Sequence, residues 1–493
     1  MQYRAAGLLF FLLIAGGGIV ACSGSSAPSN ATLPATQSSP AIKGSTPISH
    51  VVVIVQENRS FDNLFATFPN ANGTTVGYAM PMTQAVQSFC SQPSINQPVI
   101  TKPTSVPLTE VTLLGKGFPG DWDWNQDLAH DYRAGYITDC DSASTQPNDS
   151  NPCAMDGYDN SHTGPDGEGH PTCTYTYQYV NPNQIQPYWD MAQQYVLADN
   201  TFETQGSESF TAHQDLIAGG TAIEPTRSII DDPTYWPWGC DAPARVATSL
   251  LTIYGQFLKS QGPYPCFTYA SIRDLLDAKK ISWKYYSVMV NGGSAGIWDG
   301  FDAIKAVRQS KEWGTKVVWP NTKIFKNISS GTLPAVSWIT PDGEDSDHPG
   351  EQCNCDKGPS WVASIVNAIG ESKYWKSSAI VVIWDDSGGF YDHVTPPFYD
   401  DQGGLGFRLP MIIISPYTQP HVEHTQYETT SILKFIEKNW GLGTLGQEDQ
   451  RATSIGNALN FNQTPRPFQV IPAKYPRAFF VHQKPSNLPP DSE

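Results

Sequence analysis

Positive charge is scarce in this chain. Lysine and arginine together number 30 against 47 aspartates and glutamates, and the formal net charge is −17 at pH 7. Proteins that hold nucleic acid present a basic surface to its phosphate backbone. The charge balance therefore excludes nucleic acid as a partner but leaves small charged substrates open.

Long apolar runs are also scarce, and the most conspicuous one lies at the beginning of the chain. Residues 5–21 (AAGLLFFLLIAGGGIVA) follow Arg4 and lead into Cys22. This order of charged, apolar and small residues is typical of a secretory signal, and the glycines and the Ser/Pro-rich stretch that follow disfavour a permanent membrane span. Because residues 19–22 resemble a bacterial lipobox, we predict that residues 1–22 form a signal peptide with lipobox and that Cys22 is lipidated, which would anchor the protein to a membrane. A plain secreted protein is the alternative.

Large apolar side chains are nearly missing from residues 23–48, which predicts a disordered tether because such a segment cannot bury enough surface to fold. The main domain is predicted over residues 49–460. Within it, residues 70–173 are rich in Pro, Asn, Asp, Gly and Ser, which indicates an insertion or lid rather than an independent core. Residues 461–493 form a C-terminal extension.

Paired CxxC motifs are absent, which argues against a structural zinc site. Apart from Cys22 the chain has eight cysteines, namely Cys90, Cys140, Cys153, Cys173, Cys240, Cys266, Cys353 and Cys355. An even number in an exported protein predicts up to four disulfides. Short loops would be closed by Cys140 with Cys153 and by Cys240 with Cys266, while the full pairing stays open.

Short β-branched apolar segments, in contrast, are plentiful. Segments 50–55, 379–384 and 410–414 predict buried parallel strands, and segments 334–339 and 281–286 predict further strands. Helical spacing of apolar residues predicts helices over residues 359–370 and 430–440, the second ended by Gly441. Strands that alternate with helices predict the α/β class, as a three-layer α/β/α sandwich with a mainly parallel central sheet and large loop insertions.

Acidic residues directly follow three of these strands. Glu57 and Asn58 follow the first, Asp385 and Asp386 follow the second, and residues 342–347 hold four more acids. Ligands of parallel sheets bind beyond the carboxyl ends of the strands, so these groups are expected to converge. Converging carboxylates need a cation, and oxygen donors favour Ca²⁺, Mg²⁺, Mn²⁺ or Zn²⁺. For any single pair, a solvated turn is the alternative.

A candidate nucleophile lies in residues 204–215 (TQGSESFTAHQD). Ser209 and His213 are four residues apart and would share one face of a helix. A serine is a poor nucleophile at neutral pH, and coordination to a metal is one way to activate it. A helix N-cap is the alternative role for Ser209.

Taken together, these motifs resemble the bacterial phosphoesterase family of phospholipases C and acid phosphatases, which has an alkaline-phosphatase-like core. The resemblance extends from residue 50 to about residue 442. It rests on residues 57–62 (ENRSFD), 127–130 (DLAH), 155–158 (MDGY), 209–214 (SFTAHQ), 347–349 (DHP), 385–393 (DDSGGFYDH) with Pro396 and Pro397 after it, and 431–442.

The resemblance implies roles for individual residues. The implied metal ligands are Glu57, Asn58, Ser209, Asp385 and Asp386. Ser209 is the implied nucleophile, and His130 and His348 are implied to contact the phosphate or the leaving group. His213, His393 and Arg59 are candidates for substrate binding, with a structural hydrogen bond as the alternative for His393 and also for His424, which occupies another motif position.

Two positions depart from the family pattern. Ala154 stands where relatives often have lysine, so one cation that contacts phosphate is lost or replaced, for which Arg59 is a candidate. Ser387 stands where relatives often have histidine, while Asp386 keeps the carboxylate.

The predicted function is metal-dependent hydrolysis of phosphate esters through a phosphoseryl intermediate. Phospholipase C-type cleavage of phospholipids is favoured, and a broad-specificity acid phosphatase is the alternative within the enzyme class. An inactive surface-binding lipoprotein is the alternative from another class. The protein is expected to be a periplasmic or cell-surface lipoprotein, or otherwise secreted.

Overall fold

The computed structural model describes residues 44–114, 116–117, 126–164, 166–233, 236–294, 296–350, 356–399 and 404–490. Its strands are β1 (His50–Gln56), β2 (Val76–Ala79), β3 (Thr104–Pro107), β4 (Thr109–Val111), β5 (Gln178–Val180), β6 (Val196–Phe202), β7 (Ala222–Glu224), β8 (Arg227–Ile230), β9 (Ser249–Thr252), β10 (Phe257–Leu258), β11 (Trp283–Tyr286), β12 (Val317–Val318), β13 (Val336–Ile339), β14 (Ser378–Trp384), β15 (Arg408–Ile414), β16 (His421–Glu423) and β17 (Tyr427–Glu428). Its α-helices are α1 (Phe61–Phe65), α2 (Gln84–Cys90), α3 (Thr138–Cys140), α4 (Gln186–Gln194), α5 (Ser209–Asp215), α6 (Ile272–Ala278), α7 (Lys305–Arg308), α8 (Lys323–Ser329), α9 (Gly358–Gly370), α10 (Ser431–Trp440), α11 (Glu448–Arg451) and α12 (Arg477–His482).

A nine-stranded sheet organises the described residues. Its order is β12-β11-β13-β1-β14-β15-β6-β16, and β17 also pairs with β6. Neighbouring strands are parallel except at β15, which is antiparallel to both β14 and β6. The predicted strand over 410–414 therefore exists but is not parallel, because an apolar run specifies burial and not direction.

Both faces of the sheet are buried, which confirms the predicted α/β sandwich. Side chains alternate along a strand. In β1, Val52 and Ile54 join the apolar cluster under α4, α8 and α9, whereas Val51, Val53 and Val55 join the cluster under α6 and α10. The continuous apolar run is thus required because neither face meets water.

The helices predicted from apolar spacing are confirmed as α9 and α10. Helix α10 ends at Gly441, which adopts a left-handed conformation with φ 60° and ψ 51°. Glycine is favoured there because it has no Cβ to clash with the following carbonyl.

The segment predicted as an insertion, residues 70–173, carries more packed structure than its composition indicates. It contains the β2–β3 hairpin, α2 and a π-helical turn over Tyr132–Ile137. Its apolar side chains form a cluster with Phe390, Tyr391 and Phe407 from outside the segment. Scattered aromatic residues therefore build a core that periodicity did not reveal.

Three disulfides lie in the described residues. Cys140–Cys153 and Cys240–Cys266 confirm the two predicted short loops, and Cys90–Cys173 joins the end of α2 to the last residue of the insertion. Cys22, Cys353 and Cys355 lie outside the described residues.

The ends of the described chain pack on the domain. Within the predicted tether, Ser45 N–H donates to Asn439 O at 2.6 Å, and Ile48 is buried. In the C-terminal extension, Phe480 of α12 is buried in the cluster under α9. Among the residues that the structure describes, no helix combines the length and apolar character needed to cross a bilayer.

Candidate active site

The adjacent ends of β1 and β14 create the acidic part of the site. Gln56 is paired with Trp384, so Glu57 and Asp385 leave the sheet side by side. The chain then turns at Asn58, which has φ 56°. This turn directs the Asn58 N–H to Asp385 Oδ1 at 2.9 Å. Asparagine tolerates the left-handed region better than most residues, which accounts for its presence here.

Helix α5 brings the predicted nucleophile to these acids. Strand β6 runs parallel to β1, and α5 begins a few residues beyond its carboxyl end. Ser209 Oγ–H donates to Asp386 Oδ2 at 3.2 Å. One turn later, His213 Nε2 lies 3.3 Å from Glu57 Oε2 and 3.6 Å from Asp385 Oδ2. The four-residue spacing therefore places Ser209 and His213 on one helix face, as predicted.

The donor set fits a divalent cation. Ligand atoms of Glu57, His213 and Asp385 lie within 4.8 Å of one another, and all three residues are buried. Asn58 Oδ1 and Asp385 Oδ2 are buried and have no hydrogen-bond partner among the described residues. Buried acceptors without donors are costly, and a cation is the group that would satisfy several of them at once.

His213 joins these acids, although its sequence motif pointed only to substrate binding. Its side chain is buried against Glu57 and Asp385. The indication in the sequence was the four-residue spacing between Ser209 and His213, which places both side chains on one face of α5. The imidazole adds a nitrogen donor to a set that was predicted to be made of oxygens.

His130 comes from the insertion and reaches the same place. Its Nδ1 lies 2.6 Å from Leu128 O, and its Nε2 lies 3.3 Å from Asn58 Nδ2. Since the Asn58 amide donates, Nε2 accepts and Nδ1 carries the proton in this arrangement. His130 Nε2 is also 4.0 Å from Asp386 Oδ2, the atom that accepts the Ser209 hydrogen bond.

His348 is oriented in a similar way. Its Nδ1 lies 2.7 Å from Pro349 O, and its ring lies 5.8 Å from the ring of Trp298. Trp298 O accepts from the Tyr285 hydroxyl, which is 3.5 Å from His213 Nδ1. His348 is thus linked to the acidic cluster through Trp298 and Tyr285, and its predicted contact with the leaving group stays a prediction.

The third acidic stretch does not join the cluster in the way that its position predicted. Asp347 Oδ2 accepts from the Tyr188 hydroxyl at 2.7 Å and from Trp384 Nε1 at 3.2 Å. Burial raises the pKa of Asp347 to about 6. The aromatic donors therefore satisfy Oδ2 alone, and Asp347 Oδ1 is buried with no hydrogen-bond partner among the described residues.

Arg59 is buried among backbone carbonyls. Its guanidinium donates to Asp347 O through Nε at 2.8 Å and through a terminal nitrogen at 2.7 Å, and also to Leu113 O at 3.1 Å. These bonds tie three loops behind the site. A role in substrate binding stays a prediction for Arg59.

His393 lies in a second charged group. Asp62, Asp392 and His393 also bring ligand atoms within 4.8 Å of one another. Here Arg408 supplies the positive charge, with ion pairs of 3.2 Å to Asp62 and 3.0 Å to Asp392. His393 Nδ1 lies 2.6 Å from Asp62 Oδ2, so the structural hydrogen bond expected as its alternative is present.

The other histidine of uncertain role, His424, is mostly exposed. Its Nδ1 lies 2.9 Å from Asp199 Oδ1. A structural hydrogen bond is therefore present here as well.

An acidic cavity lies beside the segment that carries Ser209 and was not predicted. Its volume is about 670 Å³, and Asp131, Tyr132, Asp231 and Phe257 are in its lining. Asp131 Oδ1 caps the π-helical turn, while Asp131 Oδ2 and the Tyr132 hydroxyl are buried with no hydrogen-bond partner among the described residues. Burial raises the pKa of both Asp131 and Asp231. A cation in this cavity would relieve the cost of these buried carboxyls.

The cavity contacts the segment that carries Ser209. Asp131 follows His130 in the chain, Ser207 Oγ lies 3.4 Å from Asp231 Oδ1, and the Phe210 N–H donates to Asp232 at 3.0 Å. In the sequence, the one indication of this cavity was that Asp131 directly follows His130.

Fold and site together define a class of protein. A serine, a histidine and several acids gathered at the carboxyl edge of an α/β sheet are the groups that phosphoryl transfer requires, because they supply a nucleophile and hold charge-neutralising groups near it. The class is that of the phosphoester hydrolases.

The chain belongs to the Phosphoesterase family, whose model matches residues 48–443. It is similar to the non-hemolytic phospholipase C of Pseudomonas aeruginosa, with 24% identity over 86% of this chain and 59% of that protein. It is also similar to phospholipase C A of Mycobacterium tuberculosis, with 23% identity over 85% of this chain and 78% of that one. The chain therefore spans about three fifths of the length of the Pseudomonas relative.

Among solved structures, the chain is similar to a protein of the alkaline phosphatase superfamily from Vibrio parahaemolyticus. The identity is 11%, the TM-score is 0.31, and the match covers 55% of this chain and 65% of that chain.

Proposed function

We propose that this protein hydrolyses phosphate diesters of phospholipids in the manner of a phospholipase C, with a divalent metal ion and a phosphoseryl intermediate. The observation that carries the proposal is the hydrogen bond of 3.2 Å from Ser209 to Asp386, beside the Glu57, His213 and Asp385 cluster. A nucleophile without a nearby cation site, or a cation site without a nucleophile, would not support this chemistry.

The metal would be held by Glu57, Asn58, Asp385 and His213, with Ser209 and Asp386 beside it. When bound, it would neutralise charge on the phosphoryl oxygens and favour the deprotonated serine.

Two displacements follow from the positions of the side chains. In the first, Ser209 Oγ attacks phosphorus, its proton passes to Asp386 Oδ2, and the bond from phosphorus to the diacylglycerol oxygen breaks. The leaving oxygen takes a proton from a protonated histidine, for which His348 is the first choice and His130 the second. In the second, water attacks the phosphoserine and gives its proton to the histidine that protonated the leaving group, the bond from phosphorus to Ser209 Oγ breaks, and Ser209 Oγ takes its proton back from Asp386 Oδ2 as the phosphorylated headgroup is released.

The acidic cavity favours a phospholipid over a simple monoester. The carboxyls of Asp131 and Asp231, whose pKa values burial raises, would be favoured in their charged form by a cation bound beside them, and Tyr132 and Phe257 add aromatic faces. Such a lining suits a cationic headgroup. A bare phosphate monoester has no positive group to place there, and the relatives named above are phospholipases C.

The test compares three substrates on one protein preparation. Ser209→Ala should lower hydrolysis of phosphatidylcholine and of p-nitrophenylphosphorylcholine by about a thousandfold or more, and Ser209→Thr should retain part of it. Chelator should abolish activity and added metal restore it. Ser364→Ala is the matched control, since Ser364 is a buried helix serine that donates to Trp361 O.

The outcomes separate the three candidate functions. Faster hydrolysis of p-nitrophenyl phosphate than of both choline esters would favour the acid phosphatase. Folded protein that hydrolyses none of the three would favour the surface-binding lipoprotein. Full activity in Ser209→Ala would refute the phosphoseryl intermediate.

We also propose that the protein is exported and anchored through Cys22. The support is the arrangement of residues 1–22, which lie outside the described residues, and the presence of disulfides, which persist in oxidising compartments. Mass spectrometry of the mature N-terminus tests this: an acylated Cys22 is expected, and an unmodified N-terminus elsewhere would contradict it.

A further inference from the structure

A basic groove lies at the edge of the sheet opposite the active site. Its volume is about 800 Å³, and Lys326, Lys373 and Arg477 line it, with Glu371 as the acid in the lining. These residues belong to α8, to the loop after α9 and to α12. Since α8 precedes β13 and the loop precedes β14, the groove lies at the amino ends of these strands, whereas Glu57 and Asp385 lie at the carboxyl ends.

The three cations of the groove have no acidic partner among the described residues, although Lys373 Nζ lies 5.2 Å over the ring of Tyr374. The side chains of Lys326, Lys373 and Arg477 are exposed, and none makes an ion pair or hydrogen bond with a residue that the structure describes. Buried Arg408, in contrast, has two carboxylate partners. In a chain with a net charge of −17, three unpaired cations around one groove create a local region that attracts anions.

Apolar side chains accompany these cations. Val481 of α12 lines the groove and is 48% exposed, and Phe479 on the same helix is 36% exposed. Their neighbour Phe480 is buried and holds the helix on the core. Cations beside exposed apolar side chains are typical of a surface that meets the headgroup region of a lipid bilayer.

The chain enters the folded unit at this same edge. Ser49 N–H donates to Ser377 O at 2.8 Å, and the His50 ring packs 4.6 Å from that of Tyr374, the residue after Lys373. The predicted lipidation site, Cys22, precedes this entry point in the chain. The described chain therefore begins at the edge of the sheet where the groove lies.

We propose that the groove is a docking site for anionic phospholipid headgroups, with Lys326, Lys373 and Arg477 contacting the phosphates and Val481 the adjoining apolar layer. Docked in this way, the protein directs its catalytic edge away from the membrane that it rests on. Its substrate then comes from another membrane or from solution. The docking site does not depend on the proposed enzymatic activity, and its test reads binding alone.

The experiment measures sedimentation of the full-length chain with two kinds of vesicle. One is phosphatidylcholine alone, and the other is equal parts of phosphatidylcholine and phosphatidylglycerol. All proteins carry Ser209→Ala, so that lipid is not consumed. Any apolar anchor contributes equally to binding of both kinds of vesicle. The ratio of the two partition coefficients therefore measures the preference for anionic lipid that is attributed to the groove.

The parent should prefer the anionic vesicles, and Lys326→Gln, Lys373→Gln and Arg477→Gln should each reduce that preference about fivefold and together about a hundredfold. Salt should weaken the preference of the parent. The matched control replaces Lys102, Lys279 and Lys311 with Gln, which removes the same charge from other exposed positions.

Three results would overturn the proposal. The first is an equal loss in the control variant, which would indicate net charge only. The second is an unchanged preference in the groove variant with an unchanged melting temperature. The third is release of the parent by inorganic phosphate at an ionic strength matched with chloride, which would assign the groove to a soluble anion.

Discussion

His213 changes what the acidic cluster is expected to bind. Glu57, Asn58 and Asp385 offer oxygens, which every hard divalent ion accepts, but imidazole is a better ligand for zinc and related transition metals than for calcium or magnesium. We expect metal-free protein to gain more thermal stability from Zn²⁺ or Mn²⁺ than from Ca²⁺ at equal concentration.

His213→Gln should raise the dissociation constant for Zn²⁺ by at least about tenfold, because a ligand is lost from a buried site. Calorimetric titration of the metal-free protein measures it. His421→Gln is the control, since His421 is exposed and lies 3.5 Å from Glu423. Equal zinc affinity in both variants would remove His213 from the ligand set.

The protonation of His393 is coupled to the stability of the fold. Burial alone would lower its pKa, but the hydrogen bond to Asp62 and the charges of Asp62 and Asp392 outweigh burial, and the pKa of His393 is raised. A raised pKa in the folded state means that protonated His393 stabilises the fold. This contribution is fully present below the unfolded value of about 6.5 and is lost as the pH rises through the folded pKa.

His393→Asn should therefore flatten the fall in the free energy of unfolding over that pH range. Urea denaturation at a series of pH values measures the slope for the parent and the variant. Identical slopes would show that His393 does not carry this pH dependence.

At the scale of elements, Arg408 joins the segments that carry the proposed metal ligands. Located at the start of β15, it contacts Asp62 of α1 and Asp392 of the loop after β14. Asp62 lies five residues after Glu57, and Asp392 lies six residues after Asp386. The guanidinium thus fixes the two ligand-bearing segments relative to one another.

Arg408→Met should lower the free energy of unfolding by about 3–5 kcal/mol, because two buried carboxylates lose their cation. Adding Asp392→Asn to that variant should restore part of the loss, since one uncompensated charge is removed. Chemical denaturation of both variants is the measurement. Strictly additive losses would show that Arg408 and Asp392 act independently.

The elements that were predicted correctly are those with a dense local signal. The apolar run over 50–55 specified β1 because it is buried on both faces, and the four-residue spacing of Ser209 and His213 specified their common face on α5. Gly441 ended α10 because only a residue without Cβ adopts its backbone conformation without strain. In each case the determining interaction lies within one or two turns of the chain.

Features set by distant partners were not predictable in this way. The direction of β15 depends on the connections before it, which the apolar run over 410–414 does not encode. Asp347 has the same local context as the other acids at strand ends, yet its Oδ2 accepts hydrogen bonds from Tyr188 and Trp384 instead of joining the cluster. Asp131 was passed over because its cavity is formed with Asp231, far along the chain.

At the scale of the whole molecule, the sheet separates two opposite electrostatic environments. The carboxyl edge gathers buried acids around Ser209 and suits a cation, while the amino edge exposes Lys326, Lys373 and Arg477 and suits anions. The net charge of −17 gives no indication of the basic groove, because composition does not show where the charges lie. The fold therefore places an acidic and a basic region at opposite edges of the sheet, which the overall charge does not show.

The Cys90–Cys173 disulfide connects this global arrangement to catalysis. It closes 83 residues of chain, against 26 for Cys240–Cys266, and its loop contains His130. A longer closed loop restricts the unfolded chain more, so replacing Cys90 and Cys173 with serine should cost about 4 kcal/mol of stability, and replacing the other pair about 3 kcal/mol.

The two cysteine-to-serine double variants should differ more in kcat than in their free energy of unfolding. Cys90–Cys173 is a crosslink within the insertion, so without it the segment that carries His130 keeps its contacts with Phe390, Tyr391 and Phe407 but is less rigid, and His130 loses part of its fixed distance from Asp386. We expect kcat to fall in this variant, with the affinity for metal unchanged, because Glu57, His213 and Asp385 lie outside the loop. The Cys240–Cys266 variant should keep its kcat at a temperature where both proteins are folded. Equal kcat values would show that apolar packing alone positions His130, and a parallel loss of metal affinity would show that the insertion also shapes the acidic cluster.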